Sequence, residues 1–213
     1  MFVCWSAKGG SGTTVVSAAL ALVLSQSRPA LLVDLAGDLP ATLGIAEPTG
    51  PGVFDWLASP TADTMALWRL AIPATEILQL LPRGEAPPPG AGGSLRWPAL
   101  SAALADHGEA TVVDAGTGTP PPDLLAVATH SLLVTRPCYL ALRRAVACGV
   151  HPTGVVLLGE PGRALNARDV EHAVGAPVVV ELHYDPAVAR AVDAGLLASR
   201  LPLTLAQPLR GAA

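Results

Sequence analysis

The 213-residue chain is about half apolar, with 51% hydrophobic residues, and carries 13 basic against 17 acidic side chains. This length supports one sizeable core rather than two, so we expect a single domain over residues 1–213. No apolar run approaches the ~20 residues of a membrane-spanning helix, and the amino terminus lacks the layout of a secretion signal, which predicts a soluble cytoplasmic protein. The net charge of -4 disfavours nucleic acid as a partner, although a local arginine patch keeps that alternative open.

Seven short runs rich in β-branched residues or leucine, each bounded by Gly, Pro or Asp, predict strands. They cover Met1–Ser6, Ala30–Val33, Glu76–Leu81, Ala110–Val113, Ser131–Thr135, Gly154–Leu158 and Pro177–Leu182. Their hydrophobicity is nearly continuous rather than alternating, which is typical of a parallel sheet covered on both faces.

Helices are predicted where the crossovers of a parallel sheet are needed. They cover Thr14–Gln26, Leu95–Asp106, Leu140–Ala147, Ala167–Val174 and Pro186–Asp193. End signals agree, because Ser94, Asn166 and Asp185 suit helix starts and Gly175 suits a helix end. The alternation of strands and helices predicts an α/β fold with a doubly wound, mostly parallel sheet.

Prolines set the expectation for two further segments. Residues 82–93, from Pro82 to Gly93, are dense in Pro and Gly and are predicted to form an exposed loop. In the tail, Pro202 and Pro208 break any amphipathic helix long enough to lie on a membrane. No membrane anchor is therefore expected.

A glycine-rich loop directly follows the first predicted strand and leads into an apolar helix. It consists of Lys8, Gly9, Gly10, Ser11, Gly12, Thr13 and Thr14. Glycines let backbone N–H groups converge on an anion, and the start of the following helix adds partial positive charge. A plain strand-to-helix turn is the alternative, but the strand, loop and helix setting favours phosphate binding.

The loop departs from the ordinary P-loop at one position. That pattern ends in Gly-Lys-Ser/Thr, where the lysine neutralises phosphate charge and the hydroxyl binds magnesium. Here Thr13 replaces the lysine, while Thr14 keeps the hydroxyl. Lys8 is the only lysine in the chain, which indicates a need for a compact charge at that place.

These residues resemble the deviant Walker A loop of the MinD/ParA family of P-loop ATPases. The resemblance implies that Lys8 reaches the phosphates of a partner subunit across an ATP-sandwiched dimer. It continues at Asp34 after the second strand, and at Asp114 with Gly116 and Gly118, which resemble Walker B and its switch loop. It covers nearly the whole chain.

The sequence also lacks two residues that the family uses. Ala36 occupies the place of the carboxylate that polarises the attacking water, for which Asp38 is a weak substitute, and Leu158 replaces an asparagine that contacts adenine. Loss of the main lysine with such a loop resembles the CpaE/TadZ branch, which helps to localise pilus assembly, and actinobacterial septum-site relatives.

Two carboxylates follow buried strands, where open α/β sheets bind their ligands. Asp114 is predicted to support magnesium, with a helix or turn cap as the alternative. Asp34 has the same setting, but Gly37 and Pro40 indicate a turn after it in any case. Both carboxylates are expected at one edge of the sheet.

The remaining candidates favour structural roles. Cysteines 4, 138 and 148 and the five histidines are scattered singly, which fits neither disulfides nor a metal site beyond magnesium. Phe54, Trp56 and Leu57 are interpreted as core, with a partner surface as the alternative. The adjacent Arg143 and Arg144 are typical of a solvated helix face.

Together these features predict a protein that binds ATP or ADP with magnesium and dimerises around nucleotide. Hydrolysis is expected to be slow, since the lysine and the water-polarising carboxylate are missing. The resemblance implies a role in positioning a division, segregation or pilus complex through a protein partner. The alternative is a pseudo-ATPase scaffold that has abandoned nucleotide, which Thr13, Ala36 and Leu158 favour and Lys8 and Thr14 oppose.

Overall fold

The computed structural model describes residues 1–87 and 96–212. The strands are β1 (Phe2–Ser6), β2 (Ala30–Asp34), β3 (Ile72–Pro73), β4 (Leu78–Leu81), β5 (Ala110–Thr117), β6 (His130–Thr135), β7 (Gly154–Gly159) and β8 (Val178–His183). The helices are α1 (Thr13–Ser25), α2 (Leu39–Leu43), α3 (Val53–Ala58), α4 (Thr64–Trp68), α5 (Trp97–Asp106), α6 (Pro122–Val127), α7 (Tyr139–Ala147), α8 (Ala167–Val174), α9 (Pro186–Asp193) and α10 (Leu203–Arg210).

These strands form one sheet in the order β3-β4-β2-β5-β1-β6-β7-β8. Every neighbouring pair is parallel except the short edge strand β3, which runs antiparallel to β4. The chain winds outward from β1 in both directions, so the topological switch point lies beside β1. Ligands of doubly wound sheets bind at that point. The predicted fold class is confirmed.

Alternate residues of the central strands enter different cores. In β1, Phe2 and Cys4 pack with α1, whereas Val3 packs with α3 and α5 on the opposite face. In β2, Leu32 joins the α1 core and Leu31 joins the α3 and α5 core. Both faces of the sheet are therefore covered by helices, which explains why the strands are continuously hydrophobic.

Helix α1 is buried on nearly all sides because it lies between the sheet and α10. Leu205, Ala206 and Leu209 of α10 belong to the same core as Leu20 and Leu24 of α1. The sequence did not predict this helix, which spans only eight residues. Pro202 precedes the helix and Pro208 lies inside it, and packing against α1 stabilises the short helix despite the proline.

Several strands begin or end at residues other than those predicted. Strand β5 continues to Thr117 instead of ending at Val113, because it lies between β1 and β2 and Thr117 still pairs with Ser6. Strand β4 starts only at Leu78, because the hydroxyl of Thr75 accepts bonds from the N–H groups of Ile77 and Leu78 and forms a turn there. The sequence did not predict β3, α2, α3, α4, α6 or α10, all of them short elements.

The predicted loop at 82–93 is only partly described. Pro82 is buried, and the carbonyls of Pro82 and Arg83 accept hydrogen bonds from Val53 and Phe54 at the start of α3. The loop is thus not exposed at its beginning. Residues 88–93 lie outside the described residues, as do Ser94 and Leu95, while α5 begins at Trp97.

Candidate functional site

The glycine-rich loop (Lys8–Thr14) joins β1 to α1 at the switch point of the sheet. Gly10 and Gly12 have φ angles of 75° and 90°, a left-handed backbone that side chains disfavour. The Ser11 hydroxyl donates to the Lys8 carbonyl at 2.6 Å and closes the turn from within. The first N–H groups of a helix have no partner inside it, so the start of α1 is available to an anion.

A cavity of about 640 Å³ opens in front of this loop, and we call it the loop cavity. Its lining comes from three places at the carboxyl edge of the sheet: residues 10–15, residues 35–38 after β2 and residues 115–117 of β5, with Arg83 added from the segment after β4. This cavity is therefore lined together by Thr13, Thr14, Ala36, Asp38 and Gly116. The sequence-predicted site included these residues but not Arg83, and its other members Lys8, Gly9, Asp34, Asp114 and Gly118 do not line the cavity.

Asp34 and Asp114 are paired residues on adjacent strands, and both are fully buried on the α1 side of the sheet. Their partners differ. Asp34 accepts backbone N–H groups from Ala36 at 3.0 Å, Gly37 at 2.6 Å and Leu39 at 3.2 Å. The geometry therefore favours the turn-cap alternative for Asp34, which fixes the loop that follows β2.

Asp114 is less completely satisfied. Its Oδ1 atom accepts the N–H of Gly116 at 3.1 Å. No described residue makes a hydrogen bond of ordinary length and angle to its buried Oδ2 atom, although the hydroxyls of Thr14 and Ser17 lie close to the carboxylate. Burial raises its pKa to about 6, although the nearby Thr14 hydroxyl opposes that rise. A buried oxygen without a partner beside a hydroxyl is chemically suited to a hydrated magnesium ion.

Lys8 does not line the loop cavity. Its ammonium group donates to the carbonyl of Gly9 at 3.4 Å, and the side chain is partly exposed. Gly118 also lies outside the cavity lining, and its N–H is bound to the carbonyl of Ser6 at 2.8 Å. Thr13, which stands at the place of the usual lysine, is buried at the first position of α1.

A second cavity of about 330 Å³, the apolar cavity, adjoins the same loop. Gly12, Val15 and Leu158 line it, and Tyr184 and Val188 contribute from the carboxyl-terminal part. A Cβ atom added to Gly12 would come within 2.8 Å of Leu158 Cδ2. Leu158 therefore packs against the glycine-rich loop. Unlike the asparagine of the resembled family, its side chain has no amide group that could bind an adenine base.

Arg83 is the site residue that sequence reasoning missed. It follows β4 at the same edge of the sheet as Asp34 and borders the loop cavity. A basic residue two positions after a buried strand was the available signal, since carboxyl ends of parallel strands meet at the ligand edge. The Pro/Gly-rich composition around it indicated only a loop.

The other residues that the sequence analysis considered do not belong to the candidate site. Phe54, Trp56 and Leu57 are buried in the core with α5, as the sequence favoured, while Arg143 and Arg144 are exposed on α7. Within residues 1–87 and 96–212, no group of three His, Cys, Asp or Glu side chains could hold a metal ion. No helix in those ranges is long and apolar enough to cross a membrane.

No protein-family model matches the chain, and no curated protein matches its sequence. Solved structures do match its fold. The ParA family ATPase from Chlorobium tepidum is 21% identical with a TM-score of 0.75, over 98% of this chain and 95% of that one. The septum site-determining protein MinD from Pyrococcus horikoshii, complexed with Mg-ADP, is 20% identical with a TM-score of 0.75, over 99% and 93%.

A chain of the MinC:MinD cell division protein complex from Aquifex aeolicus is 16% identical with a TM-score of 0.76, over 99% of this chain and 92% of that one. These likenesses extend over almost the full length of both chains, so they concern the whole sheet and not the glycine-rich loop alone. The chain therefore has the fold of the MinD and ParA ATPases.

Proposed function

We propose that this chain is a cytoplasmic nucleotide-dependent switch that binds ATP or ADP with magnesium in the loop cavity. The carrying observation is the arrangement of Thr14 and Asp114 behind the glycine-rich loop. A hydroxyl at the start of α1 and a buried, incompletely bonded carboxylate lie side by side at the switch point of the sheet. MinD from Pyrococcus horikoshii, which shares the fold, is a Mg-ADP complex.

The residues present fit a magnesium ion. The Thr14 hydroxyl would bind it directly, and Asp114 would hold its water shell through the free Oδ2 atom. When bound, the ion neutralises charge on the phosphate oxygens. Asp34 keeps the loop after β2 in place through its three backbone bonds instead of binding the ion.

Hydrolysis by this chain is slow in our proposal. Thr13 brings no charge to the phosphates, and the methyl group of Ala36 cannot orient an attacking water. Asp38 lines the loop cavity and is exposed, so among the described residues it is the one carboxylate of the lining that could contact a water in front of the phosphates. The ATP-bound state therefore persists for a long time before hydrolysis, as a switch requires.

The output of the switch is a dimer that recruits a protein partner. Lys8 lies outside the loop cavity on the surface beside it, which suits a cation that completes the site of a second subunit. The MinC:MinD complex of Aquifex aeolicus shows a protein of this fold with a cell division partner. We place the partner of this chain in a division, segregation or pilus complex.

The test is calorimetric titration of ATP and ADP with magnesium, together with light scattering for molecular mass. Thr14→Ala is expected to abolish the magnesium dependence of binding. Lys8→Ala is expected to leave the monomer folded and to prevent the dimer that ATP induces. No heat at millimolar nucleotide, with an unchanged mass, would overturn the proposal.

A nucleotide-free scaffold is the second candidate, and the contact of Leu158 with the glycine-rich loop favours it. The apolar side chain lies against Gly12 at a place where the resembled family uses an asparagine for the base. Under this alternative, the protein has the same molecular mass in solution with and without nucleotide. The same light-scattering measurement therefore separates the two candidates.

A further inference from the structure

Arg83 is the only cationic side chain among the described residues that line the loop cavity. It also borders a neighbouring cavity of about 340 Å³ that reaches Asp34 and the residues around Gly50. The two other basic residues close to the glycine-rich loop do not line this cavity. Lys8 donates to its own loop at Gly9, and Arg136 pairs with Glu160, which also pairs with Arg163.

The backbone around Arg83 is fixed. Its carbonyl accepts the N–H of Phe54 at 3.0 Å, and the carbonyl of Pro82 accepts the N–H of Val53 at 2.8 Å. The segment after β4 is thereby tied to the start of α3. A side chain that leaves a fixed backbone loses less conformational freedom when it binds a ligand.

The side chain of Arg83 is positioned by three weak contacts. Its guanidinium carbon lies 5.0 Å from the centre of the Phe54 ring, and its Nη1 atom donates to the carbonyl of Gly84 at 3.3 Å. Its Cδ atom lies over Gly37, where an added Cβ would be only 3.1 Å away. The stem of the arginine thus crosses the loop after β2 that forms one wall of the loop cavity.

Its charge has no carboxylate partner. Within the described residues, no Asp or Glu oxygen lies within 4 Å of the Arg83 guanidinium nitrogens, in contrast to Arg136 and Arg163. Most N–H donors of the Arg83 guanidinium therefore remain available to a ligand. A guanidinium binds phosphate oxygens in pairs, and its planar fork matches their spacing.

We infer that Arg83 binds the polyphosphate of a nucleotide in the loop cavity and supplies the positive charge that Thr13 does not. This inference rests on the proposed nucleotide binding and deepens it. The cation reaches the phosphates from the segment after β4 instead of from the glycine-rich loop. The site thereby keeps a positive charge for binding although its loop lacks the usual lysine.

The experiment titrates ATP, inorganic tripolyphosphate and adenosine, with magnesium present, into the wild type, Arg83→Gln and Arg28→Gln. Arg28 is an exposed arginine in the turn between α1 and β2, at the opposite edge of the sheet. We expect Arg83→Gln to weaken ATP and tripolyphosphate binding roughly 10- to 100-fold. Adenosine binding and the melting temperature should not change, and Arg28→Gln should match the wild type.

A rescue variant separates charge from structure. In the double variant Arg83→Gln with Thr13→Lys, the lysine returns to the glycine-rich loop, and ATP affinity should recover. Arg83→Lys should bind ATP with intermediate affinity, because it keeps the charge but loses the fork. If Arg83 acts on the phosphates, Thr13→Lys should raise ATP affinity more in the Arg83→Gln background than in the wild type.

The outcomes distinguish the two levels of the proposal. If the wild type binds neither ATP nor tripolyphosphate, the proposed function fails and this inference fails with it. If the wild type binds ATP and Arg83→Gln binds it equally well, this inference alone is overturned. Equal weakening of ATP and adenosine in Arg83→Gln would also overturn it, because the arginine would then only support the fold.

Discussion

Asp34 and Asp114 stand opposite each other on β2 and β5, both fully buried, yet one carboxylate is satisfied and the other is not. Asp34 accepts three backbone N–H groups from the turn that follows it. Asp114 accepts one, from Gly116, and its Oδ2 atom has no partner among the described residues. Two residues of the same type at paired positions therefore take different roles.

Replacing Asp114 by Asn should stabilise the protein at neutral pH. Burial raises the pKa of Asp114 from 3.8 to about 6, so the folded state holds a proton that the unfolded state releases between these values. The contribution of Asp114 to stability therefore falls as pH rises from about 4 to about 6. Asp114→Asn should remove this loss. The variant should therefore exceed the wild type in free energy of unfolding by about 2–3 kcal/mol above pH 6 and by close to zero below pH 4.

Urea unfolding of the wild type and Asp114→Asn across this pH range measures the effect. Asp106→Asn, which changes an exposed carboxylate at the end of α5, serves as the control and should show no such divergence. The same Asp114→Asn protein should lose magnesium-dependent nucleotide binding under our proposal. A variant less stable than the wild type at pH 7 would contradict the assignment of Asp114 as an incompletely satisfied group.

Removing the carboxylate of Asp34 should strongly destabilise the fold. Asp34→Ala leaves the N–H groups of Ala36, Gly37 and Leu39 without their acceptor at a partly buried turn, which costs about 3 kcal/mol. Asp38→Ala is the matched comparison, because that carboxylate is exposed and makes no capping bond, and it should change stability by less than about 0.5 kcal/mol. Equal denaturation midpoints for the two variants would show that the turn does not depend on Asp34.

Gly12 should tolerate a side chain less well than Gly10. Both have positive φ angles, which costs alanine about 1 kcal/mol, but only at Gly12 would the new Cβ meet Leu158 Cδ2 at 2.8 Å. We expect Gly12→Ala to lose about 2–4 kcal/mol and Gly10→Ala about 1 kcal/mol in thermal unfolding.

Leu158→Ala in the Gly12→Ala background provides the control for that contact. If the clash with Leu158 is the cause, the double variant should lose less stability than the sum of the two single variants. Additive losses would show instead that backbone strain alone makes Gly12 necessary.

The carboxyl-terminal helix should behave as part of the core. Leu209 is fully buried with α1, so Leu209→Ala should cost about 2–5 kcal/mol. Leu203, in the same helix, is 63% exposed, and Leu203→Ala should stay within about 0.5 kcal/mol of the wild type. Denaturation midpoints provide the measurement, and a mild effect at Leu209 would mean that α10 is detached in solution.

The sequence by itself determined the class of the fold. Continuous apolar strands with helices between them indicate a doubly wound parallel sheet, because parallel strands need crossovers and must be covered on both faces. The resemblance to the MinD/ParA family placed Ala36, Asp38 and Gly116 near the glycine-rich loop, and in the structure they line one cavity with Thr14. These are local patterns, and local patterns can be recognised in one chain.

Only the tertiary structure decided which partner each side chain meets. Asp34 and Asp114 have similar sequence settings, and the turn after β2 satisfies one while burial leaves the other short of donors. Arg83 reaches the loop cavity because β4 pairs with β2, which no local pattern around Arg83 specifies. Helix α10 forms around Pro208 because α1 offers an apolar surface to it. Such contacts join residues far apart in sequence, so their energies arise only when the chain has folded.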